Sequence, residues 1–457
     1  MMVTSMRVDQ ERKRITIGVG ELAAPPNERV RGMGGAGALR AELGRRAHDR
    51  YREDQDTDDQ DPDEERSQEL AVSLTREIDG YEVCVRGRID LVRWLGSGVV
   101  VEEIKSVMLT AAELDASKPG DFAEAHLQAR LYALCLDEKG VDGAVDARLV
   151  LLSLIDGTSR TLSADYDRQR TSGELDEQLR LAVARAQRAE HRASLRRELA
   201  AELVFPYPEA RPHQLELSEI IAAALEAGQP VLATAPTGIG KTISALWPAL
   251  RYGLKNDRPV IFATAKGTQQ RLAAKTFEAL AFQAGAKPGA LSAVTLRAKE
   301  RMCPEGSLQC HPERCPFLTD FEARLAAEGA VDHLIERGYH IDADRVFQLG
   351  EELLLCPYEL SMQLVKRVEL VIGDYNYAFH PAVSLGSGPV DDRSSGAVVV
   401  VDEAHNLFDR AREYYSPFVT HRSLGEVVAG IDRMSLGEPG LGNDLIGWCE
   451  SVREAIV

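Results

Sequence analysis

The sequence predicts an α/β protein of more than one domain, and three observations carry that prediction. The chain has 457 residues with 44% hydrophobic composition, more than a single core of about 250 to 300 residues can absorb. Its second half contains four apolar runs, PVLATA, RPVIFATA, VELVIGD and AVVVVDEAH, of the continuous kind that suits a parallel sheet covered on both faces. Its first half alternates strand-like and helical segments of more mixed polarity, and no repeat of fixed period is visible.

From the N-terminus, KRITIGV reads as a short strand inside an extension over residues 1–35. A helical pattern runs from about Ala36 to Arg52, and the acidic run EDQDTDDQDPDEE from Glu53 to Glu65 reads as a solvated loop. Two strands follow in YEVCVRGRIDLV and GVVVEEIKSV, then a helix from about Asp121 to Leu136 and a strand in RLVLLSLI. A charged helix from about Leu175 to Leu203 closes this first domain, over 36–195, and joins it to a second over 196–415.

The opening MMVTSMRVDQERKR lacks the apolar stretch of a signal peptide, and no segment approaches about 20 uninterrupted apolar residues, so a cytoplasmic protein is expected. Seven cysteines are too few for a disulfide scaffold in so long a chain. Cys84, Cys135 and Cys449 read as core or surface thiols. The formal charge of −18 argues weakly against a polyphosphate partner, but much of the excess sits in the one acidic run, so motifs must decide.

The segment Ala235, Pro236, Thr237, Gly238, Ile239, Gly240, Lys241, Thr242 follows the first apolar run and precedes the helical pattern ISALWPALRYG. Glycines let backbone N–H groups curl round phosphates at a helix N-terminus, Lys241 offers charge to the terminal phosphates, and Thr242 offers a hydroxyl to magnesium. Ala235 stands where the first glycine of this pattern is usual. Asp402, Glu403, Ala404 and His405 end the VVVV run about 160 residues later, which places two carboxylates at the edge where open α/β sheets bind ligands. Asp402 suits a magnesium ligand and Glu403 a group that orients or deprotonates water, so the pair of motifs indicates nucleotide hydrolysis with Mg2+.

From about Phe205 to Leu407 the chain resembles the first motor domain of XPD/DinG-like superfamily 2 helicases. FPYPEARPHQ matches the family's opening motif, with Arg211 and Gln214 in the adenine-side positions. TAKGTQQ, with Thr264, Lys266, Thr268 and Gln269, resembles the family motif that contacts single-stranded DNA, and GDYNY, with Tyr375 and Tyr377, matches a further family segment. The two tyrosines read equally well as packed residues at a strand end. The resemblance implies a RecA-like motor domain that binds ATP, a single-stranded DNA partner and 5′ to 3′ travel.

Cys303, Cys310, Cys315 and Cys356 lie between the phosphate loop and the acidic strand end, at spacings of seven, five and forty-one. Four thiolates suit a [4Fe-4S] cluster, whereas the commonest zinc sites pair cysteines two residues apart. Zinc and unligated core cysteines remain the alternatives. Their placement resembles the iron-sulfur insertion of the same family, here over about 296–360. Arg297, Lys299 and Arg301 just before Cys303 can line a DNA path or a solvated helix face.

In the first domain, Asp90 in GRIDLV precedes Glu103 and Lys105, which share one face of a strand. Asp90 and Glu103 suit a divalent cation and Lys105 the positioning of water for phosphodiester cleavage. Gly44 with His48, and Gln128 with Tyr132, add two pairs at helical spacing. Taken singly, His48 reads as an ordinary helix residue and Tyr132 as core. The ordered set GxxxH, GxxD, ExK and QxxxY resembles RecB-type PD-(D/E)xK nucleases. That resemblance implies a Mg2+ or Mn2+ site on His48, Asp90, Glu103 and the Ile104 carbonyl, with Gln128 and Tyr132 contacting or positioning DNA.

Residues 416–457 read as the start of a helical insertion, and no second motor domain follows, so the isolated chain is expected to bind nucleotide weakly and not to unwind DNA. The favoured reading is a DNA repair helicase with an attached nuclease. The alternative is a non-motor DNA-binding or redox-responsive accessory protein.

Overall fold

The computed structural model describes residues 6–23, 43–53, 64–236, 238–306, 310, 315–380, 383, 385, 396–416, 420, 422–425, 428 and 441–455. Two compact units form, their bodies being Gly35–Ala186 and Gln187–Ser416.

The first unit is built on a seven-stranded mixed sheet. Its strands are β1 (Arg7–Asp9), β2 (Arg14–Gly18), β3 (Glu65–Ile78), β4 (Tyr81–Leu95), β5 (Gly98–Val107), β6 (Ala144–Ser153) and β7 (Ser159–Ser163). They run in the order β1-β2-β4-β5-β6-β7, with β3 forming an antiparallel hairpin with β4. The strands at 7–18, placed by sequence in an N-terminal extension, are instead part of this sheet: β2 pairs in parallel with β4, and Ile15 and Ile17 are fully buried. Sequence also passed over β3. Its burial alternates weakly and its composition, ERSQELAVSLTREI, is polar, because most of this strand is only half covered.

Among the described residues, α1 (Val19–Ala23), α2 (43–53), α3 (Ala111–Ala116) and α4 (Ala123–Asp137) lie on the sheet, and residues 175–186 of a longer helix add Leu175, Leu179 and Val183 to its core. Helix α4 buries Ala129, Leu131, Ala133 and Leu134 in a core with Val83, Val85, Ile89 and Val101 of β4 and β5. Helix α2 sets Ala47 and Tyr51 against Ile104, Val150 and Leu152. Gly44 makes that approach feasible, since a Cβ there would meet the Ser106 hydroxyl at 2.7 Å. The part of the expected helix at 36–42, and the acidic run at 54–63, lie outside the described residues.

Helix α5 (Arg168–Glu202) begins earlier than its composition suggested and carries the division between the units within it. The second unit continues with α6 (Gln214–Glu226), α7 (Lys241–Lys255), β8 (Val260–Ala263), α8 (Gly267–Gln283) and β9 (Ala293–Thr295). It then adds α9 (Phe321–Glu328), α10 (Ala330–Ile335), β10 (His340–Ile341), α11 (Ala343–Glu352) and α12 (Pro357–Val365). The last elements are β11 (Leu370–Gly373), α13 (Asn376–Phe379), β12 (Val398–Val401) and α14 (Leu407–Tyr414).

The five strands form a parallel sheet in the order β10-β9-β11-β8-β12. Alternate strand residues point to opposite faces. Val260, Phe262, Ala293, Leu370 and Ile372 accordingly join a core with α7 and α8, while Ile261, Val294 and Val371 join one with α9 to α12. One expected strand is missing: PVLATA at 230–235 is not in the sheet, with Val231 41% and Leu232 90% exposed. Among the described residues β12 therefore has one partner, β8, and its Val399 is exposed, although the apolar run predicted a fully covered strand.

Arg196, buried on α5, pairs with Asp257 at 2.7 Å and with buried Glu369 at 3.1 Å, and Glu369 also accepts the Ser292 N–H. Removing the guanidinium takes away the charge that compensates a buried carboxylate, so Arg196→Ala is expected to cost about 3 to 5 kcal/mol in urea unfolding. A loss below about 1 kcal/mol would show the trio to be solvated.

Candidate active sites

In the second unit the parallel register brings Ala263, Gly373 and Val401 level at one end of β8, β11 and β12. Thr264, Asp374 and Asp402 leave the sheet together at that edge, and Asp402 N–H donates to the Ala263 carbonyl at 3.0 Å. Burial raises the Asp402 carboxyl, and neighbouring Glu403 raises it further, while Lys241 and Lys266 pull it back. Lys241, Lys266, Asp402 and Glu403 thus share one electrostatic neighbourhood.

Lys241 opens α7 directly after Gly240, and its ammonium donates to the Ala235 carbonyl at 3.2 Å, drawing the loop round its own helix end. Gly238 and Gly240 both have φ near +90°. A Cβ on Gly240 would meet the Gln214 amide at 2.1 Å, so the loop accepts only glycine at that point. Gln214, assigned to the adenine side from sequence, is buried beneath the loop: it accepts the Arg211 N–H and donates to the Gly240 carbonyl. Arg211 reaches the Gly238 carbonyl. Ala235, Ile239 and Thr242 are half-buried, Pro236 is exposed, and Thr237 lies outside the described residues.

Thr264, a DNA-contact candidate from its motif, is fully buried. Its hydroxyl donates to Gln269 at 2.7 Å, and the Gln269 amide donates to Glu403 at 3.2 Å. Glu403 itself holds a left-handed φ of 51°, a conformation that costs a non-glycine residue about 1 to 3 kcal/mol. The buried Tyr375 hydroxyl fixes that turn by donating to the Asp402 and Glu403 carbonyls. Tyr377 is also buried, with its hydroxyl on the Arg297 carbonyl, so both tyrosines of GDYNY are packing residues. Sequence named Gln269 only as part of a motif. Its contact with a residue 134 positions away depends on register, which no local pattern encodes.

Cys303, Cys310, Cys315 and Cys356 line one cavity of about 130 Å³, with Lys299, Met302, Phe317 and Tyr358. Burial pushes the Cys356 thiol up to about 11, so a thiolate there requires strong local positive charge. Among the described residues no three Cys, His, Asp or Glu side chains already stand in ligand geometry. Of the basic trio, Arg297 is tied to Asp344 at 2.6 Å, Lys299 stands 5.2 Å from the Tyr358 ring centre, and Arg301 is exposed.

In the first unit, β4, β5, α2 and α4 bring the other set together. Asp90 accepts the Ile104 N–H at 2.9 Å, and Glu103 pairs with Lys105 at 2.7 Å. Lys105 also donates to Gln128 at 3.0 Å. Burial pushes Glu103 up to about 7 and raises Asp90, while burial lowers His48 against the pull of the Asp90 charge. One oxygen of buried Glu103 has no hydrogen-bond partner, an expensive arrangement that a cation would relieve. Tyr132, assigned to DNA from sequence, is buried with its hydroxyl near Gln128 and the Arg88 N–H. It supports the site from below, and Gln128 orients Lys105.

Fold and sites define a class: a parallel-sheet phosphate-loop domain accompanied by a mixed-sheet, nuclease-like domain. Residues 287–424 match the DEAD_2 family, that of XPD/Rad3-like helicases, and residues 19–225 match the PD-(D/E)XK nuclease superfamily. Among curated proteins, the chain is 23% identical over 260 residues to the "General transcription and DNA repair factor IIH helicase subunit XPD/RAD3" of Saccharomyces cerevisiae, covering 51% of this chain and 33% of that protein. It is 28% identical over 211 residues to the "Regulator of telomere elongation helicase 1 homolog" of Caenorhabditis briggsae, covering 38% and 21%. The chain thus spans a third or less of the length of these relatives. A solved structure described as "Truncated XPD" aligns with TM-score 0.35 and 16% identity, over 52% of this chain and 65% of that one. No helix among the described residues is long and apolar enough to cross a membrane.

Proposed function

We propose that this chain is the nucleotide-binding part of an ATP-dependent DNA repair helicase, working 5′ to 3′ on single-stranded DNA, with a metal-dependent nuclease domain attached. The observation that supports it most is the gathering of Lys241, Asp402 and Glu403 at one edge of a parallel sheet. Lys241 and the loop N–H groups would bind ATP phosphates, Thr242 and Asp402 would hold Mg2+, and Glu403 would orient the attacking water through its bond to Gln269. The four cysteines round one cavity fit a [4Fe-4S] cluster, which would tie the segment about 296–360 together. The domain limits proposed here are about 7–195 and 196–415. The test is paired: Mg2+-dependent ATP hydrolysis stimulated by single-stranded DNA, and Mn2+-dependent cleavage of a labelled strand. Absence of both sinks the reading.

In the nuclease centre His48, Asp90 and Glu103 would hold Mg2+ or Mn2+, an ion that polarises the scissile phosphate and its attacking water. Lys105 is placed to orient that water. Because the metal-free Glu103 carboxyl is held up to about 7, binding must expel its proton. Mn2+ affinity is therefore expected to rise about tenfold per pH unit up to about 7 and then to level off. Calorimetry in buffers of differing ionisation enthalpy would count about one proton released at pH 6 and almost none at pH 8.5. Affinity independent of pH over that span would mean Glu103 is not a ligand.

A further inference from the structure

The nuclease-like centre contains a cation that none of its four motifs includes. Arg52 lies one helical turn after His48 on α2 and so shares its face. Its side chain is only 12% exposed, and its guanidinium stands 2.7 Å from Glu69 and a looser 3.5 Å from Asp90, with Asp49 at 3.6 Å. Among the described residues its buried Nε has no acceptor. Arg66, Arg130 and Arg324 also carry a buried nitrogen without a partner among the described residues, so what singles out Arg52 is its place beside Asp90, a carboxylate proposed to hold the metal.

Glu69 is unusual in turn. It sits opposite Asp90, between the pairs Gln68↔Leu91 and Leu70↔Ile89, yet holds a left-handed φ of 53° within β3. Its second oxygen takes Arg88 at 3.2 Å. Arg52 is thus suspended between one carboxylate that a divalent ion would need and one that it would not.

Resting on the nuclease reading above, we propose that Arg52 is the phosphate-binding residue of this centre. In the metal-free protein it shields Asp90. With a divalent ion held at Asp90, Arg52 would pair with Glu69 alone, and its planar fork would be placed to receive a non-bridging oxygen of the DNA phosphodiester. Arginine suits that role because its donors match phosphate geometry two at a time and it stays charged at every working pH. The strained Glu69 backbone is then the device that holds the alternative seat in place.

The test uses the whole chain and two probes: Mn2+ alone by calorimetry, and the Ca2+-dependent part of the affinity for a labelled oligothymidylate. Arg52→Ala should bind Mn2+ about threefold or more tightly, because a competing cation has gone, and the oligothymidylate about tenfold more weakly. Arg52→Lys should restore Mn2+ affinity to the parent value and recover only part of the DNA affinity. Glu69→Gln should weaken Mn2+ binding by leaving Arg52 no seat but Asp90. A folded Arg52→Ala protein whose Mn2+ affinity is unchanged or lower overturns the proposal, and if that variant fails to fold, unchanged Mn2+ affinity in Glu69→Gln does the same. Parent protein that binds no Mn2+ at all removes the nuclease reading itself, and this proposal with it.

Discussion

Lys241→Ala is expected to lower DNA-stimulated ATP hydrolysis by about 10²-fold or more while leaving Mn2+-dependent DNA cleavage within about twofold of the parent. The ammonium stands at the first helical position of α7, close enough to Asp402 to draw its carboxyl down against burial. On the proposed reading it is a fixed positive charge beside the place where the nucleotide phosphates and magnesium would bind. Preorganised charge of this sort acts on the transition state without reorganising, which is why a single deletion removes so much rate. Asp90→Ala should give the mirror result, abolishing cleavage and sparing hydrolysis, since Asp90 belongs to a different sheet and a different unit. Rates would be read from phosphate release and from gel-resolved cleavage of one labelled strand under common conditions. If either variant loses both activities while still folded, the two centres are not separate.

Much of both centres was legible in the sequence, because their chemistry is concentrated in short motifs at element ends. GIGKT fixes a loop-to-helix junction, VVVVDEAH a strand that ends in two carboxylates, and ExK a strand face. Residues that act across elements were not legible. Gln269 meets Glu403 because β8 and β12 are in parallel register, and Arg52 meets Asp90 because α2 lies against the sheet through Gly44. Thr264 and Tyr132 sit in DNA-contact motifs, yet both face inward and hold Gln269 and the Gln128 neighbourhood in place. PVLATA failed for another reason: an apolar run guarantees a wish to be covered, but covering depends on the neighbour it finds.

The second large effect concerns the cysteines. Cys356→Ser is expected to take iron from about four atoms per chain to almost none, to erase the broad brown absorption, and to open the segment near 296–360 to proteolysis. Cys356 caps α12 at its N-terminus while Cys303, Cys310 and Cys315 lie some forty to fifty positions earlier, yet all four reach the same small cavity. Apolar contacts from Met302, Phe317, Leu318 and Tyr358 surround it. Burial pushes the Cys356 thiol up, so a thiolate at that position needs a positive charge beside it. On the proposed reading a cluster would supply that positive charge, and its binding energy would become folding energy for the segment. Cys84→Ser provides the contrast: that thiol is buried on β4, far along the chain from the cavity-lining set, and its loss should leave iron and colour unchanged. Anaerobically purified protein that carries stoichiometric zinc and no colour would replace the cluster with a structural zinc site. Undiminished iron in Cys356→Ser would remove that residue from the ligand set.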